Sequence, residues 1–121
     1  MIKGIGIDII EIDRIEKAME KRDSFIERLF TENEVILFKR KKYKVESIAG
    51  NFAAKEAISK ALGSGIAFSW KNIEVLRDEK GKPYANLSGN AKKIFNDKEC
   101  ENLQISISHS KQYAVANCII E

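Results

Sequence analysis

The first ten residues alternate between two kinds of side chain, which is the period of a β-strand. One face of the strand predicted over residues 2–10 is branched and apolar, and the other face is mostly small. The apolar face holds Ile5, Ile7 and Ile9, and the opposite face holds Gly4, Gly6, Asp8 and Ile10. The carboxylate among these neighbours is unusual, because it needs solvent, a partner or a cation.

Two helix starts are marked by capping residues. Asp13 stands near the start of an apolar stripe and is predicted to cap a helix that begins beside it. Thr31, followed three residues later by Glu34, forms a capping box. This box predicts a helix from Glu32 to about Lys42.

The clearest helix runs from about Val45 to Leu62. Its apolar residues cover most of the circumference, which is typical of a helix packed on several sides. They are Ile48, Ala49, Phe52, Ala53, Ala54, Ala57, Ile58, Ala61 and Leu62. Gly63 and Gly65 are predicted to end this helix.

The second half of the chain is mostly strand. Strands are predicted over residues 73–77, 83–87, 103–108 and 113–120, with a short helix capped by Ser88. Long helical connections occur only early in the chain, so an α+β fold is favoured over a doubly wound one. We expect a largely antiparallel sheet packed with helices, and at 121 residues a single compact domain over 1–121.

Composition excludes several classes of protein. No apolar run approaches the roughly 20 residues that span a bilayer, and a net charge of +3 is too weak to indicate nucleic acid. We therefore expect neither a membrane nor a nucleic acid as partner. The first residues do not resemble a signal peptide, which leaves a cytoplasmic location as the expectation.

Any metal held by this chain is expected to rest on carboxylates. Cys100 and Cys118 lack the spacing of a metal or redox pair, and His109 is the only histidine. Oxygen ligands favour hard cations such as magnesium.

Basic residues are concentrated in two stretches, residues 14–28 and 39–44, which favours an acidic or phosphorylated partner. Within the first stretch, Arg14, Lys17 and Lys21 share one side of the predicted helix. This stripe is a candidate docking site for an acidic protein. Acidic residues run beside it, so a solvated helix face remains an alternative explanation.

A second unusual carboxylate, Glu56, lies in the middle of the apolar helix, where it also needs a partner. The simplest interpretation is an ion pair with Lys60, four residues on, worth only about 0.2–0.5 kcal/mol. Together with Asp8, however, Glu56 suits magnesium, which usually takes one or two carboxylates plus substrate phosphates. Such an ion would hold a pyrophosphate and neutralise charge as it leaves.

Ser108, His109 and Ser110 lie at a predicted hairpin tip. Neighbours along a strand point to opposite faces, so phosphate contact is favoured over a serine–histidine nucleophile pair. A surface turn explains these residues equally well. The run Gly63-Ser64-Gly65 follows a helix rather than preceding one, so it forms no Walker-type phosphate loop, and a helix C-cap explains it.

Three segments together resemble the signature segments of the holo-[acyl-carrier-protein] synthases, the short bacterial type of 4′-phosphopantetheinyl transferase. They are the runs GIGIDIIEIDRI from Gly4 to Ile15, FAAKEAISKALGSG from Phe52 to Gly65, and ISISHS from Ile105 to Ser110. Their order and spacing match, and the resemblance covers essentially the whole chain. It implies the 4′-phosphopantetheinyl transferase-like fold.

The resemblance implies a reaction in which a serine hydroxyl of apo-acyl carrier protein attacks the β-phosphate of coenzyme A. Adenosine 3′,5′-bisphosphate leaves. Asp8 and Glu56 match the family's magnesium ligands, and Lys60 matches a lysine near the transferred phosphate. The serine proton would go to a water or to a carboxylate such as Glu56.

The resemblance also implies contacts with coenzyme A and with the carrier protein. The coenzyme A contacts are Gly63, Ser64, Gly65, Lys82, Pro83, Ser108, His109 and Ser110. Arg14 matches a basic residue of the carrier-docking helix, to which we add Lys17 and Lys21 from the basic stripe. The family is similar in being trimeric, with active sites between subunits. Asn51 departs from the arginine that many relatives carry, which puts one cationic contact in doubt.

Two alternatives use the same residues without turnover. One is a non-catalytic basic module that binds an acidic partner protein through the stripe of Arg14, Lys17 and Lys21. The other is a nucleotide-binding regulator that uses the phosphate contacts alone. A mass increase of one phosphopantetheine on a carrier protein excludes the first, and release of the bisphosphate excludes the second.

Overall fold

A computed structural model of the chain describes residues 1–63 and 68–121, so the predicted contacts Ser64 and Gly65 lie outside the described residues. In chain order the elements are β1 (Gly4–Glu11), α1 (Ile12–Lys21), α2 (Phe25–Leu29), α3 (Glu32–Arg40), α4 (Val45–Leu62), a short 3₁₀ turn (Trp70–Asn72), β2 (Ile73–Arg77), β3 (Pro83–Leu87), α5 (Gly89–Asp97), β4 (Leu103–His109) and β5 (Tyr113–Ile120). Among the described residues, no helix has the length and apolar character needed to cross a bilayer.

The strands form two antiparallel sheets. One has the order β1-β5-β4, and the other is the hairpin of β2 and β3. In the larger sheet Asp8 lies opposite Ala116, which lies opposite Ile107. The buried helix α4 packs on the face that carries these three residues. The predicted α+β fold with an antiparallel sheet is confirmed.

On the other face of the larger sheet, β1 presents a row of exposed isoleucines. Ile5, Ile7 and Ile9 are 69%, 62% and 64% exposed. Their neighbours on β5, Ile119 and Val115, lie on the same face because directly paired residues share a face. A contiguous apolar strip of this kind marks a surface that meets another molecule.

Helix boundaries follow the predictions except at three places. The capping box of Thr31 and Glu34 is present. The prediction that Asp13 caps α1 is wrong, because the helix begins at Ile12 and Glu11 occupies the N-cap position. The backbone N–H of Ile12 donates to the carbonyl of Gln112, so the ladder between β1 and β5 leads directly into the helix.

The other two differences are smaller. Helix α3 ends at Arg40, two residues earlier than expected, because Lys42 and Tyr43 adopt positive φ angles that no helix continues through. Ser88 occupies the N-cap position of α5, but its side chain makes no capping hydrogen bond.

Two glycines allow α4 to lie directly on β1. A Cβ atom on Gly6 would be 1.9 Å from the carbonyl oxygen of Ala57, and one on Gly4 would be 2.0 Å from that of Ala61. These distances are far below any van der Waals contact, so no side chain fits between the two backbones. The resulting close approach brings the inner face of β1, including Asp8, onto the surface of α4.

Replacing Gly6 by alanine is therefore expected to destabilise the protein by at least about 2 kcal/mol, at the upper end of overpacking effects, because backbone rather than a flexible side chain must move. Gly50→Ala is the matched control, since its Cβ would meet only the Ile107 side chain, at 3.1 Å. Urea unfolding of both variants measures the difference. Equal stability of Gly6→Ala and the parent protein would show that the two backbones are not in contact.

Candidate active site

Asp8 lies on the inner face of β1 and is held by a lysine from α4. Its side chain is 16% exposed, and its Oδ1 atom lies 3.3 Å from Nζ of Lys60. The same ammonium donates to the carbonyl of Ile7 at 2.9 Å. Among the described residues, the ion pair of Lys60 is thus made with Asp8 and not with Glu56, the partner that the i, i+4 spacing suggested.

Glu56 is half-buried on α4, close enough to Asp8 to feel its charge. Burial raises the pKa of the Glu56 carboxyl, the negative charge of Asp8 raises it further, and Lys60 offsets part of the rise. A carboxylate whose pKa is raised by burial and by a second carboxylate beside it favours a cation between the two groups.

The chemistry of this donor set fits magnesium. The described part of the chain contains no group of three or more histidine, cysteine, aspartate or glutamate side chains that would enclose a metal. Asp8 and Glu56 would therefore supply two oxygen ligands and leave the other positions to water and substrate phosphate, which is the way magnesium is usually bound. A structural zinc site would need four protein ligands.

His109 opens onto a strongly basic cleft of about 570 Å³. The other residues lining this cleft are Arg40, Lys41, Lys42, Lys44, Glu46 and Ser47. The second basic stretch of the sequence thus meets the single histidine at one place. Four cations around an open cleft favour an anionic ligand such as a phosphate.

The serines beside His109 have different surroundings. Ser108 lies opposite Val115 on the exposed sheet face, whereas His109 lies opposite Ala114 on the inner face. The Ser110 hydroxyl accepts a hydrogen bond from the backbone N–H of Tyr113 at 3.2 Å and serves the turn.

The β2–β3 loop carries Lys82 and Pro83. The Lys82 ammonium donates to Oε1 of Gln104 at 3.1 Å, and Gly81 adopts the φ of +84° that the tight loop requires. Gln104 stands near one end of β4 and His109 at the other, roughly 17 Å apart at ~3.4 Å per residue. The predicted nucleotide contacts Lys82 and His109 are therefore not brought together within one subunit.

Gly63 ends α4 in the left-handed conformation, with φ of +76°, as predicted. The Lys98 ammonium donates to the carbonyl of Leu62 beside it. Along α4, Glu56 lies roughly 14 Å from Ser47 in the basic cleft, at ~1.5 Å per residue. In the part of the chain that the structure describes, Asp8, Glu56 and Lys60 thus lie together. The predicted nucleotide contacts lie at separate places on the same chain.

The basic stripe of Arg14, Lys17 and Lys21 is exposed on α1. Lys17 forms an exposed ion pair with Asp13 at 2.9 Å, and the hydrogen bond and charge of Asp13 raise the pKa of its ammonium. Beyond the stripe, a groove of about 270 Å³ is lined by Arg22, Phe25, Arg28, Leu29 and Trp70.

The sequence reasoning missed a buried ion pair next to the site. Lys55 and Glu34 have side chains that are 0% exposed, with Nζ and Oε1 2.7 Å apart. The capping-box glutamate also accepts from the backbone N–H groups of Thr31 and Val75. Burial raises the pKa of Glu34 and lowers that of Lys55, and each charge offsets part of the other's shift. The sequence did contain a signal for this ion pair, because a lysine in a helix that is apolar around its circumference needs a buried counter-charge.

Asn51 belongs to this interior network rather than to a ligand surface. It is 0% exposed, and its Nδ2 donates to Oε2 of Glu34 at 3.2 Å and to the carbonyl of Val75 at 2.9 Å. Its Oδ1 finds no partner among the described residues.

Comparison with known proteins identifies the family. A family model described as the 4′-phosphopantetheinyl transferase superfamily matches residues 4–118. The chain is 56% identical over 120 residues to a holo-[acyl-carrier-protein] synthase of Alkaliphilus oremlandii, covering 98% of each chain.

Two solved structures share both fold and sequence. One is a Bacillus anthracis holo-(acyl-carrier-protein) synthase in complex with CoA (3′,5′-ADP), at 46% identity and a TM-score of 0.82, covering 100% of this chain and 97% of that one. The other is the Helicobacter pylori synthase in complex with coenzyme A, at 38% identity and a TM-score of 0.86, covering 97% and 99%.

The protein thus belongs to the 4′-phosphopantetheinyl transferase superfamily. Within that superfamily it belongs to the holo-[acyl-carrier-protein] synthase family.

Replacing Lys55 by methionine is expected to cost about 3–5 kcal/mol of stability, because the Glu34 charge loses its buried partner. In the double variant Lys55→Met/Glu34→Gln both charges are gone, and a glutamine can still take part in the capping box. We expect it to regain part of the loss, because the unpaired charge is removed while the carbonyls of Leu29 and Trp70 still lack the Lys55 donor. Urea unfolding at neutral pH measures all three proteins, and a double variant less stable than the single one would contradict the ion-pair assignment.

Proposed function

We propose that this protein transfers 4′-phosphopantetheine from coenzyme A to a serine of apo-acyl carrier protein, with Mg²⁺ held by Asp8 and Glu56. Residues 1–121 act as one transferase domain, in the cytoplasm, and adenosine 3′,5′-bisphosphate is released. The cluster of Asp8, Glu56 and Lys60, built across the contact of β1 and α4, carries the proposal.

Each of the three residues has a distinct part in the reaction. Asp8 and Glu56 would hold the ion, which supplies charge neutralisation for the coenzyme A pyrophosphate. A water molecule or the Glu56 carboxylate would accept the proton of the attacking serine hydroxyl. Lys60 is exposed at its tip and can turn from Asp8 toward the leaving bisphosphate, whose charge it stabilises.

Coenzyme A would bind along the contacts that the family resemblance indicates. His109 and the basic cleft around it suit a phosphate of the nucleotide, and Gly63, Lys82 and Pro83 are further contacts. Because these residues lie apart, residues 1–63 and 68–121 of one chain offer no continuous site for a ligand of this size. A site completed by a neighbouring subunit resolves the difficulty.

The exposed strip of Ile5, Ile7 and Ile9 is the proposed surface for this assembly, a homotrimer with active sites between subunits. Removing three isoleucines from water supplies the driving force. Ser108 lies on the same face, opposite Val115, so the assembly would bring it to the neighbouring chain.

The carrier protein would dock on the basic face of α1. Arg14, Lys17 and Lys21 are exposed there, and the arginine-lined groove beside them extends the surface. Carrier proteins that present acidic side chains would be steered to this face. The same surface would serve a non-catalytic basic module, so turnover has to be measured directly.

We expect Asp8→Ala and Glu56→Ala to fold and to lose transfer by at least about a hundredfold, the scale of removing a key electrostatic group. Asp97→Ala is the matched control, because Asp97 forms an exposed ion pair with Lys93 on α5 and not with Lys60. Mass spectrometry of apo-acyl carrier protein after incubation with coenzyme A and Mg²⁺ detects the gain of one phosphopantetheine.

Two results would count against this assignment. An unmodified carrier protein with the parent enzyme would favour the binding module. Full transfer by either carboxylate variant would remove the metal site from Asp8 and Glu56.

Ile7→Glu is expected to dissociate the trimer, because a charge would be buried at the centre of the apolar strip. Ile36→Glu is the control, since Ile36 is 47% exposed and lies on α3 rather than on the larger sheet. Sedimentation velocity of both variants reports the mass. A trimeric Ile7→Glu variant, or a monomeric parent protein, would refute this interface.

A further inference from the structure

The Lys55 ammonium makes further contacts beyond its ion pair with Glu34. Besides Glu34, it donates to the carbonyl of Leu29 at 2.6 Å and to the carbonyl of Trp70 at 3.1 Å. All three of its N–H groups therefore have acceptors, on α2, on α3 and on the 3₁₀ turn. It also lies 4.8 Å from the ring centroid of Phe30.

Two of these three acceptors belong to residues that line one groove. Leu29 and Trp70 form it together with Phe25 and two arginines, Arg22 and Arg28. The buried Lys55 ammonium thus connects two residues that line the groove, Leu29 and Trp70. The positions of Leu29 and Trp70 relative to Lys55 are restricted, because the ammonium is fully buried and each of its N–H groups has an acceptor.

An aromatic contact connects the groove to the helix that carries Glu56. Trp70 stacks on Phe52, with ring centroids 6.0 Å apart and planes 29° apart. Phe52 and Glu56 are four residues apart on α4, so both lie on the same side of the helix. A protein that docks in the groove is therefore next to the helix face that carries Glu56.

We propose that Lys55, with Glu34 as its counter-ion, is a positioning residue that holds Trp70 as one wall of the groove that receives the acyl carrier protein. The occupant is an acidic carrier protein, because arginines line the groove and aromatic rings offer an apolar contact beside them. This inference rests on the proposed function. Lys55 acts through Trp70 and touches neither substrate.

The test uses the single tryptophan of the sequence as its own reporter. In the double variant Lys55→Met/Glu34→Gln, the carbonyl of Trp70 loses its buried donor. We expect red-shifted Trp70 emission and increased quenching by acrylamide. Phe95→Leu, a substitution in the core beneath α5, is the control for a general loss of stability.

Function is measured in two arms. Titration with apo-acyl carrier protein alone, followed by Trp70 fluorescence, is expected to show a Kd raised about ten- to thirtyfold in the double variant, the effect of losing an aromatic anchor at an interface. In the transfer assay, the KM for carrier protein should rise similarly, while the KM for coenzyme A and the value of kcat stay within about twofold of the parent enzyme, since Lys55 meets neither the nucleotide nor the reacting atoms.

These measurements test the positioning role of Lys55 separately from the proposed transferase function. Unchanged quenching with unchanged carrier Kd would overturn the positioning role, as would equal losses for both substrates or the same pattern in Phe95→Leu. Absence of transfer by the parent enzyme would instead refute the proposed function. The titration needs neither coenzyme A nor metal, so it decides the positioning role in that case too.

Discussion

The contact between β1 and α4 is the constraint on which the rest of the structure depends. Gly4 and Gly6 bring the strand so close to the helix that no Cβ atom fits between them. Asp8 follows on the same face of the strand, two residues beyond Gly6, and Glu56 and Lys60 project from the same helix. Two acidic groups and one basic group from distant parts of the chain therefore share one place, held by backbone packing rather than by flexible side chains.

A second set of interactions fixes an adjacent side of α4. The buried pair of Glu34 and Lys55 joins α3 to α4, and through backbone carbonyls it also holds the end of α2 and the 3₁₀ turn. Such a pair gives little net stability, but it tolerates few alternative arrangements. Helix α4 thus carries both the proposed reacting groups, Glu56 and Lys60, and the buried lysine that contacts two residues of the proposed docking groove.

Much of the fold could be read from local patterns, because the signals were strong. The bounds of α4, the hairpin of β2 and β3, and the capping box of Thr31 follow from periodicity and turn residues. Asp8 and Glu56 were candidates because each carboxylate stands among apolar residues, and the family resemblance matched both to metal ligands. The start of α1 was not predictable, since the bond from Ile12 to Gln112 depends on a strand pairing across the whole chain. The pairing of Lys60 with Asp8, and the burial of Lys55, likewise depend on tertiary contacts.

The central claim is that Asp8 and Glu56 of one subunit bind one divalent cation. Crystals grown with Mn²⁺ and coenzyme A test it directly through the anomalous scattering of manganese. The account predicts one strong peak per subunit, with a carboxylate oxygen from each of Asp8 and Glu56 at about 2–2.5 Å. A peak that neither residue reaches, or one bound by carboxylates of two different subunits, would contradict it.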